Sequence, residues 1–159
     1  MLFTPIKPML LGTGKEIIDN PETIWDIKWD GWLTLIHKEG ERVEAYTREG
    51  NNITAKFPEL QAVGQAIKEH TAIIDAEGVV LRSGVSVFED FAYRGSLSNK
   101  EKIKPATLTH PANFVAFDIL ATDKQVMKQP LFEMNMEGIV GKRRDSIYKV
   151  NHRSSNDWL

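Results

Sequence analysis

Between Ile24 and His37 apolar and aromatic residues crowd the chain: Ile24, Trp25, Ile27, Trp29, Trp32, Leu33, Leu35 and Ile36 are interrupted chiefly at Asp30-Gly31. The enrichment in β-formers predicts extended structure from Trp25 to His37, and Asp-Gly is a turn signal. Lys38-Glu39-Gly40-Glu41 then separates Leu33–His37 from Arg42–Thr47, where Val43, Ala45 and Thr47 alternate with Glu44, Tyr46 and Arg48. That alternation predicts an antiparallel hairpin, with Arg48 leaving the polar face of its second strand. From Pro58 the period lengthens, since Leu60, Val63 and Ile67 recur at spacings of three and four, which predicts a short amphipathic helix. Ala72–Leu81 returns to strand. Ser86-Val-Phe-Glu89 has the form of a capping box, ahead of a helix with Phe88, Phe91 and Ala92 on one face and Gly95 as its stop. Phe114–Leu120 is a nearly continuous apolar strand turned at Thr122-Asp123-Lys124, and Gly138–Lys142 is a further short strand. Antiparallel sheets with two flanking helices define an α+β domain.

Composition narrows the class without changing this picture. With 159 residues, 42% hydrophobic and 26% charged, the chain has the balance of an ordinary globular domain and a formal charge of −2. It can bury roughly 70% of the surface its unfolded form exposes, which predicts one domain. The absence of cysteine excludes a disulfide framework, a thiolate zinc site and a cysteine nucleophile. No stretch approaches the roughly 20 apolar residues that cross a bilayer, and Pro5 and Pro8 break the opening segment, so a cytoplasmic protein with no membrane partner is expected. Charge is uneven, however. Lys142, Arg143, Arg144, Lys149 and Arg153 face Asp145 alone, which is either a solvated basic surface or a phosphate-binding patch.

Four groups of residues carry candidate chemistry. Lys28 precedes the Asp30-Gly31 turn among Trp25, Ile27 and Trp29. An isolated lysine there is ordinarily a snorkelling side chain, yet an apolar surround would favour the neutral amine that nucleophilic attack requires. Asp75 and Glu77 stand two apart in an apolar strand and project from one face, either as the wet side of an edge strand or as a buried acidic pair in need of a cation. Glu137 precedes the last apolar run, and hard carboxylate oxygens of this kind suit Mg²⁺ bound together with a phosphate. Phe117 is by default a core residue and becomes a stacking platform only in a nucleotide site.

Taken in order, Lys28-x-Asp30-Gly31, Arg48-x-Gly50, Asp75-x-Glu77, Phe117-Asp118 and Glu137-Gly138-Ile-Val-x-Lys142 resemble the nucleotidyltransferase motifs of ATP-dependent DNA ligases. Pro5-x-x-Pro8-Met-Leu, Asp26-Ile-Lys-Trp-Asp-Gly, Gly141-Lys-Arg-Arg-Asp-Ser-x-Tyr148 and Arg153-Ser-x-x-Asp157-Trp-Leu look like the bacterial and phage ligases of the end-joining type. The resemblance covers nearly the whole chain. It implies an adenylation domain with Lys28 and Asp30 at the catalytic centre, Lys28 taking AMP from ATP and passing it to a 5′-phosphate of nicked or broken duplex DNA in repair or replication. It further implies that Arg48 and Glu77 hold the ribose, Phe117 stacks on adenine, Asp26 and Ile27 line the adenine edge, and Lys142 lies beside phosphates. Glu77 and Glu137 are the expected Mg²⁺ ligands.

The same resemblance exposes departures. Leu33 occupies the position of an arginine, Asp26 that of a longer glutamate, and only 18 residues (119–136) separate Asp118 from Glu137, where relatives carry a longer segment. Relatives also continue beyond Trp158-Leu159 into a Lys-x-Lys strand and an OB-fold domain, so the expectation over 1–159 is an adenylation domain shortened before the last lysine motif, with a partner chain as one source of the missing domain. Alternatives of other classes are a non-catalytic nucleotide- or DNA-binding remnant and an RNA ligase or capping-type nucleotidyltransferase.

Overall fold

The extended stretch around Asp30-Gly31 is divided between two sheets. The computed structural model describes residues 2–12, 21, 23–123, 139–143, 146 and 148–153. Thr23–Ile27 (β1) pairs antiparallel with Ile139–Arg143 (β7) in a two-stranded ribbon. Trp32–Glu39 (β2) enters a five-stranded sheet, where it turns through Gly40-Glu41 into Arg42–Thr47 (β3), the hairpin that the alternation predicts. The centre of this sheet is Thr71–Arg82 (β4), twelve residues long, flanked by β2 on one side and by Ala112–Thr122 (β6) on the other. Its far end folds back on Val85–Ser86 (β5). Every pairing between these strands is antiparallel, as an α+β domain of this kind requires.

One face of the large sheet is the core. Because side chains alternate along a strand, Ile36 of β2, Ala45 of β3 and Ile74, Ala76 and Val80 of β4 share that face and pack on Phe57, Leu60 and Phe91. Leu60–Ala66 (α1) and Phe88–Ser96 (α2) supply the cover, α1 over β3 and α2 over β4. Phe57 and Phe91 stack with ring centroids 4.8 Å apart, and Phe114 meets both edge-on.

Several expectations need correction. The Ser86 capping box does not form: the residue before α2 is Val87, with no side-chain cap, and the Ser86 hydroxyl instead accepts the Asp30 N–H at 3.1 Å. Gly95 does not stop α2, which continues to Ser96; a Cβ at Gly95 would lie 2.4 Å from the Trp32 ring, so close packing is what demands glycine there. A third helix, Lys100–Thr109 (α3), lies where only Ile103 and Ala106 are buried and Pro105 interrupts the pattern. Its start is fixed by Asn99, whose side chain accepts the Glu101 N–H at 2.8 Å. Strand β6 runs on through Thr122, the first residue of the expected turn, and Lys124 and Gly138 lie outside the described residues. Among the described residues no helix is long and apolar enough to cross a membrane.

The helical layer is pinned by a buried ion pair. Arg94 of α2 is fully buried and donates to both Glu59 carboxylate oxygens at 2.7 and 3.0 Å and to the His110 carbonyl at 2.6 Å. Partial burial pushes the Glu59 carboxyl up, but the Arg94 bonds and nearby backbone amides outweigh it and hold Glu59 below its ordinary value. Removing one partner strands the other, so Arg94→Ala should lower the unfolding free energy by about 3–5 kcal/mol in denaturant titration. A loss below about 1 kcal/mol would show that the pair does not anchor the helices.

Candidate functional site

The other face of β4 carries Asp75 and Glu77. Of the two readings of this strand, the edge strand with one wet side is not what folds: β4 is central, and in register Asp75 stands between Leu35 and Asp118, and Glu77 between Leu33 and Val115. Asp75 is wholly buried. Opposite it, β6 slips register by one residue, from Asp118 facing Asp75 to Ala116 facing Ala76, which leaves Phe117 as the inserted residue of a β-bulge. A bulge interrupts strict alternation, and here it turns the Phe117 ring out of the core, into the wall of a cleft.

That cleft lies between the ribbon and the sheet. Asp26, Ile27, Lys28, Glu77, Phe117 and Lys142, all expected at the site, line it together, and Met9, Leu11, Trp29 and Leu33 complete its apolar walls. Lys142 is the hub of one side. Its ammonium donates to Asp26 Oδ2 at 3.2 Å and to the Phe117 carbonyl at 3.0 Å, and it lies 5.2 Å from the centre of the Phe117 ring. The other Asp26 oxygen accepts the Ile27 N–H at 2.8 Å. Lys142 therefore sits half-buried against the expected base platform.

A second, larger cleft shares Lys28, Trp29, Leu33 and Glu77 with the first and adds Arg48 and Arg153. Arg48 lies just past β3 and is exposed, in keeping with the polar face expected for it. Lys28 lies past the end of β1 and is exposed at the junction of the two clefts; the apolar strand expected around it ends at Ile27. Its position is set by Gly31, where a Cβ would meet the Gly78 carbonyl oxygen at 2.1 Å, so only glycine lets this turn lie flat against β4 beside Glu77. Asp30 lines neither cleft, although its charge acts on Glu77. Glu137, Arg144 and Asp145 lie outside the described residues, and among those described no group of three acids or histidines could hold a metal by itself.

Electrostatics follow from burial. Desolvation, then the neighbouring Asp75 charge, push the Glu77 carboxyl up to about 8, while Lys28 and the Gly31 amide pull it down. Desolvation likewise raises Asp75 to about 7, against the hydrogen bond from the Tyr148 hydroxyl, with Asp118 adding to the rise. The partner Tyr148 hydroxyl is itself pushed up by burial and by Asp75. Asp118 is raised by burial too, although the Ile119 N–H donates to it at 2.8 Å.

Two contributions escape sequence reasoning. Tyr148 appears there only as part of a flanking pattern, with no partner to suggest a role. Met9 and Leu11 form a wall of the site because Leu10 and Arg153 bridge as parallel strands, and neither segment has a periodicity that announces this. What results is an apolar slot with an aromatic ring, a lysine at its mouth and carboxylates behind, an arrangement suited to a nucleoside whose phosphates emerge beside Lys28.

A slot of this kind on antiparallel sheets defines a nucleotide-binding transferase fold. The sequence profile described as "ATP dependent DNA ligase domain" matches residues 8–136, and the chain belongs to that family. It is 30% identical to the SPbeta prophage-derived DNA ligase-like protein LigB of Bacillus subtilis (strain 168), over 97% of this chain and 66% of that protein. It is 31% identical to DNA ligase C of Mycobacterium tuberculosis, over 94% of this chain and 42% of that one. The chain thus spans about two thirds or less of these relatives. The LigB alignment extends over 192 residues, more than the 159 of this chain, so that relative carries residues within the matched span that are absent here. Among solved structures, mycobacterial DNA ligase D complexed with ATP and MES superposes with a TM-score of 0.77 at 24% identity, covering 96% of this chain and 58% of that one.

The raised carboxylates carry a sign for stability. Their protonation in the folded state begins far above the ordinary carboxylate range, so their contribution is fully present below about pH 4 and is lost as pH rises toward 7 and 8. Glu77→Gln should therefore raise stability at pH 8 and flatten its decline between pH 5 and 8, which loses at most about 1.4 kcal/mol per pH unit per group. Thermal melts across that range check it; a wild-type stability rising from pH 5 to 8 would contradict the assignment.

Proposed function

We propose that this chain is the adenylating part of an ATP-dependent DNA ligase. The observation that carries this reading is the convergence of Lys28, Glu77, Phe117, Asp26, Ile27 and Lys142, from four separate segments of chain, on one slot. In the first step the neutral Lys28 amine attacks the α-phosphorus of ATP. An N–P bond forms, the bond to the bridging oxygen breaks, pyrophosphate leaves with that electron pair, and the amine gives up its proton. An oxygen of a DNA 5′-phosphate then displaces Lys28 and takes the AMP; a 3′-hydroxyl displaces AMP in turn and closes the strand.

The binding roles follow from placement. Phe117 offers its ring to adenine, with Ile27 and Asp26 at the base edge. Glu77, neutral near pH 7, can both donate to and accept from a ribose hydroxyl, and Arg48 reaches the sugar or phosphates from the larger cleft. Mg²⁺ fits as a companion of the triphosphate, because a cation beside Glu77 would take the place of the proton that burial and Asp75 otherwise hold there; Glu77 and Glu137 would then hold it, and it would neutralise charge gathering on the phosphates. Positioning accounts for much of the rate of such transfers, which is why a rigid base seat matters. Sealing of nicked or broken duplex DNA also calls for a surface that grips the duplex, supplied by an OB-fold domain in the same protein or from a partner chain. A cytoplasmic setting, with ATP and DNA at hand, suits this activity.

Leu33 tempers the expected rate. It stands directly opposite Glu77 and lines both clefts, so an apolar side chain occupies a place where a cation would meet phosphate. One charge-assisted contact is worth about 1.5–3 kcal/mol, and its lack slows a step by roughly ten- to a hundredfold.

Three outcomes test the reading. Incubated with α-labelled ATP and Mg²⁺, the wild-type chain should acquire label that survives denaturing electrophoresis, and Lys28→Ala should not; label at equal level on both would reject Lys28. Phe117→Leu should weaken ATP binding by about 1 kcal/mol in calorimetry with little change in melting temperature, whereas unfolding with normal binding by the folded fraction would return Phe117 to the core. Leu33→Arg should speed label transfer by about tenfold or more, and a slower variant would show that the apolar wall matters more than the missing charge.

A further inference from the structure

The site wall that Met9 and Leu11 provide is held by one side chain remote from the reacting atoms. The Met9 N–H donates to the Tyr148 hydroxyl at 2.8 Å, and that hydroxyl donates to Asp75 Oδ2. One phenol thus links the N-terminal segment, the segment after β7 and the central strand. Around it the two segments are laced together: the Lys149 N–H points at the Met9 sulfur at 3.1 Å, Leu10 N–H donates to the His152 carbonyl at 2.8 Å, Asn151 N–H to the Lys7 carbonyl at 2.8 Å, and Arg153 to the Leu11 carbonyl at 2.9 Å.

Most of these bonds run between the two segments and leave the sheet out. Tyr148–Asp75 is the described hydrogen bond that ties their middle to β4, two residues from Glu77. Asp75 is wholly buried with its second oxygen unpartnered among the described residues, an expensive arrangement to maintain for packing alone. An apolar residue of similar size on β4 would fill the space without that cost, but it would not fix where Tyr148 stands.

We propose that Tyr148 is a positioning residue which, held by Asp75, sets the Met9–Leu11 wall against the nucleotide slot. It touches no reacting atom; it acts through Met9, which is itself 2% exposed and lines the slot. This rests on the nucleotide-binding reading for its consequence, while the link itself is a property of the protein without ligand. Three elements face the Asp75–Tyr148 pair with charge or titratable groups: Asp118 on β6, Lys142 on β7 and Glu77 on β4.

Amide hydrogen exchange on the nucleotide-free full chain, read residue by residue, and ATP affinity test the proposal together. In Tyr148→Phe, which keeps the ring and removes the hydroxyl, exchange at the Met9 and Leu10 amides should quicken by about tenfold or more while amides of β2 and β4 keep their wild-type protection, and ATP should bind about tenfold more weakly. Asp75→Asn, which keeps an acceptor for the phenol, should leave Met9 protected. Wild-type exchange at Met9 and wild-type ATP affinity in Tyr148→Phe would overturn the proposal. So would a uniform rise in exchange over the whole sheet, which would make Tyr148 a stability residue with no particular hold on the wall. Should the wild-type chain fail to bind ATP, the nucleotide-binding reading falls, and the exchange at Met9 still decides whether Tyr148 sets the wall.

Discussion

Setting a buried Asp75 and a half-buried Glu77 side by side on the site face of the central strand is the constraint around which this molecule is arranged. Two carboxylates removed from water destabilise the fold unless protons, donors or cations meet them. Each is met differently here. Asp75 takes the Tyr148 hydroxyl and a strongly raised proton affinity, and Glu77 faces Lys28 and the Gly31 amide at the rim of the clefts. An edge strand could have left both acids in water. A strand flanked by β2 and β6 cannot, so the terminal segments must fold across this face to supply what the sheet lacks.

The same strand dictates where the other functional groups stand. On its core face the sheet packs against Phe91 and Phe57 with ordinary alternation, and that packing leaves no freedom to shift β4. Two irregularities serve the site side: β6 inserts Phe117 opposite Asp75, and Gly31 brings the Lys28 turn into contact with Gly78. A rigid apolar layer therefore underlies a layer of locally irregular backbone. Irregularities of this kind are tolerated where the surrounding structure over-determines them, and here they aim a ring and an amine at the same volume.

Much of this was legible in the residues, for identifiable reasons. Alternation in Val43, Ala45 and Thr47 and the spacing of Leu60, Val63 and Ile67 mark faces turned to the core, so the hairpin and α1 follow directly, although Tyr46 on the other face of β3 is buried too. The set Asp26, Ile27, Lys28, Glu77, Phe117 and Lys142 could be chosen through its resemblance to the ordered motifs of ATP-dependent DNA ligases, and it converges in space. What stayed hidden depends on distant partners. Ser86 looks like a helix cap until Asp30 is found beside it, and Gly95 looks like a helix stop until Trp32 is seen pressing on it. A one-residue bulge leaves no mark on hydrophobic patterning, and α3 buries too few residues for its period to show through Pro105. Tyr148 could not be assigned a role because its partner is 73 residues away.

Lys142 shows how much the packing of a cation adds to what its charge alone says. Counted with Arg143, Arg144, Lys149 and Arg153 it belongs to a basic run, and a basic run suggests phosphate. Its ammonium is nevertheless committed to Asp26, to the Phe117 carbonyl and to the face of the Phe117 ring, on the ribbon side of the slot. A cation held there does two things. It balances Asp26, so that this side of the slot presents a paired carboxylate and a fixed Ile27 backbone in place of a bare negative charge. It also ties β7 to β6, closing the slot between ribbon and sheet. A ligand seated against Phe117 therefore touches both sheets at once, and its binding free energy adds to the contacts that keep them together.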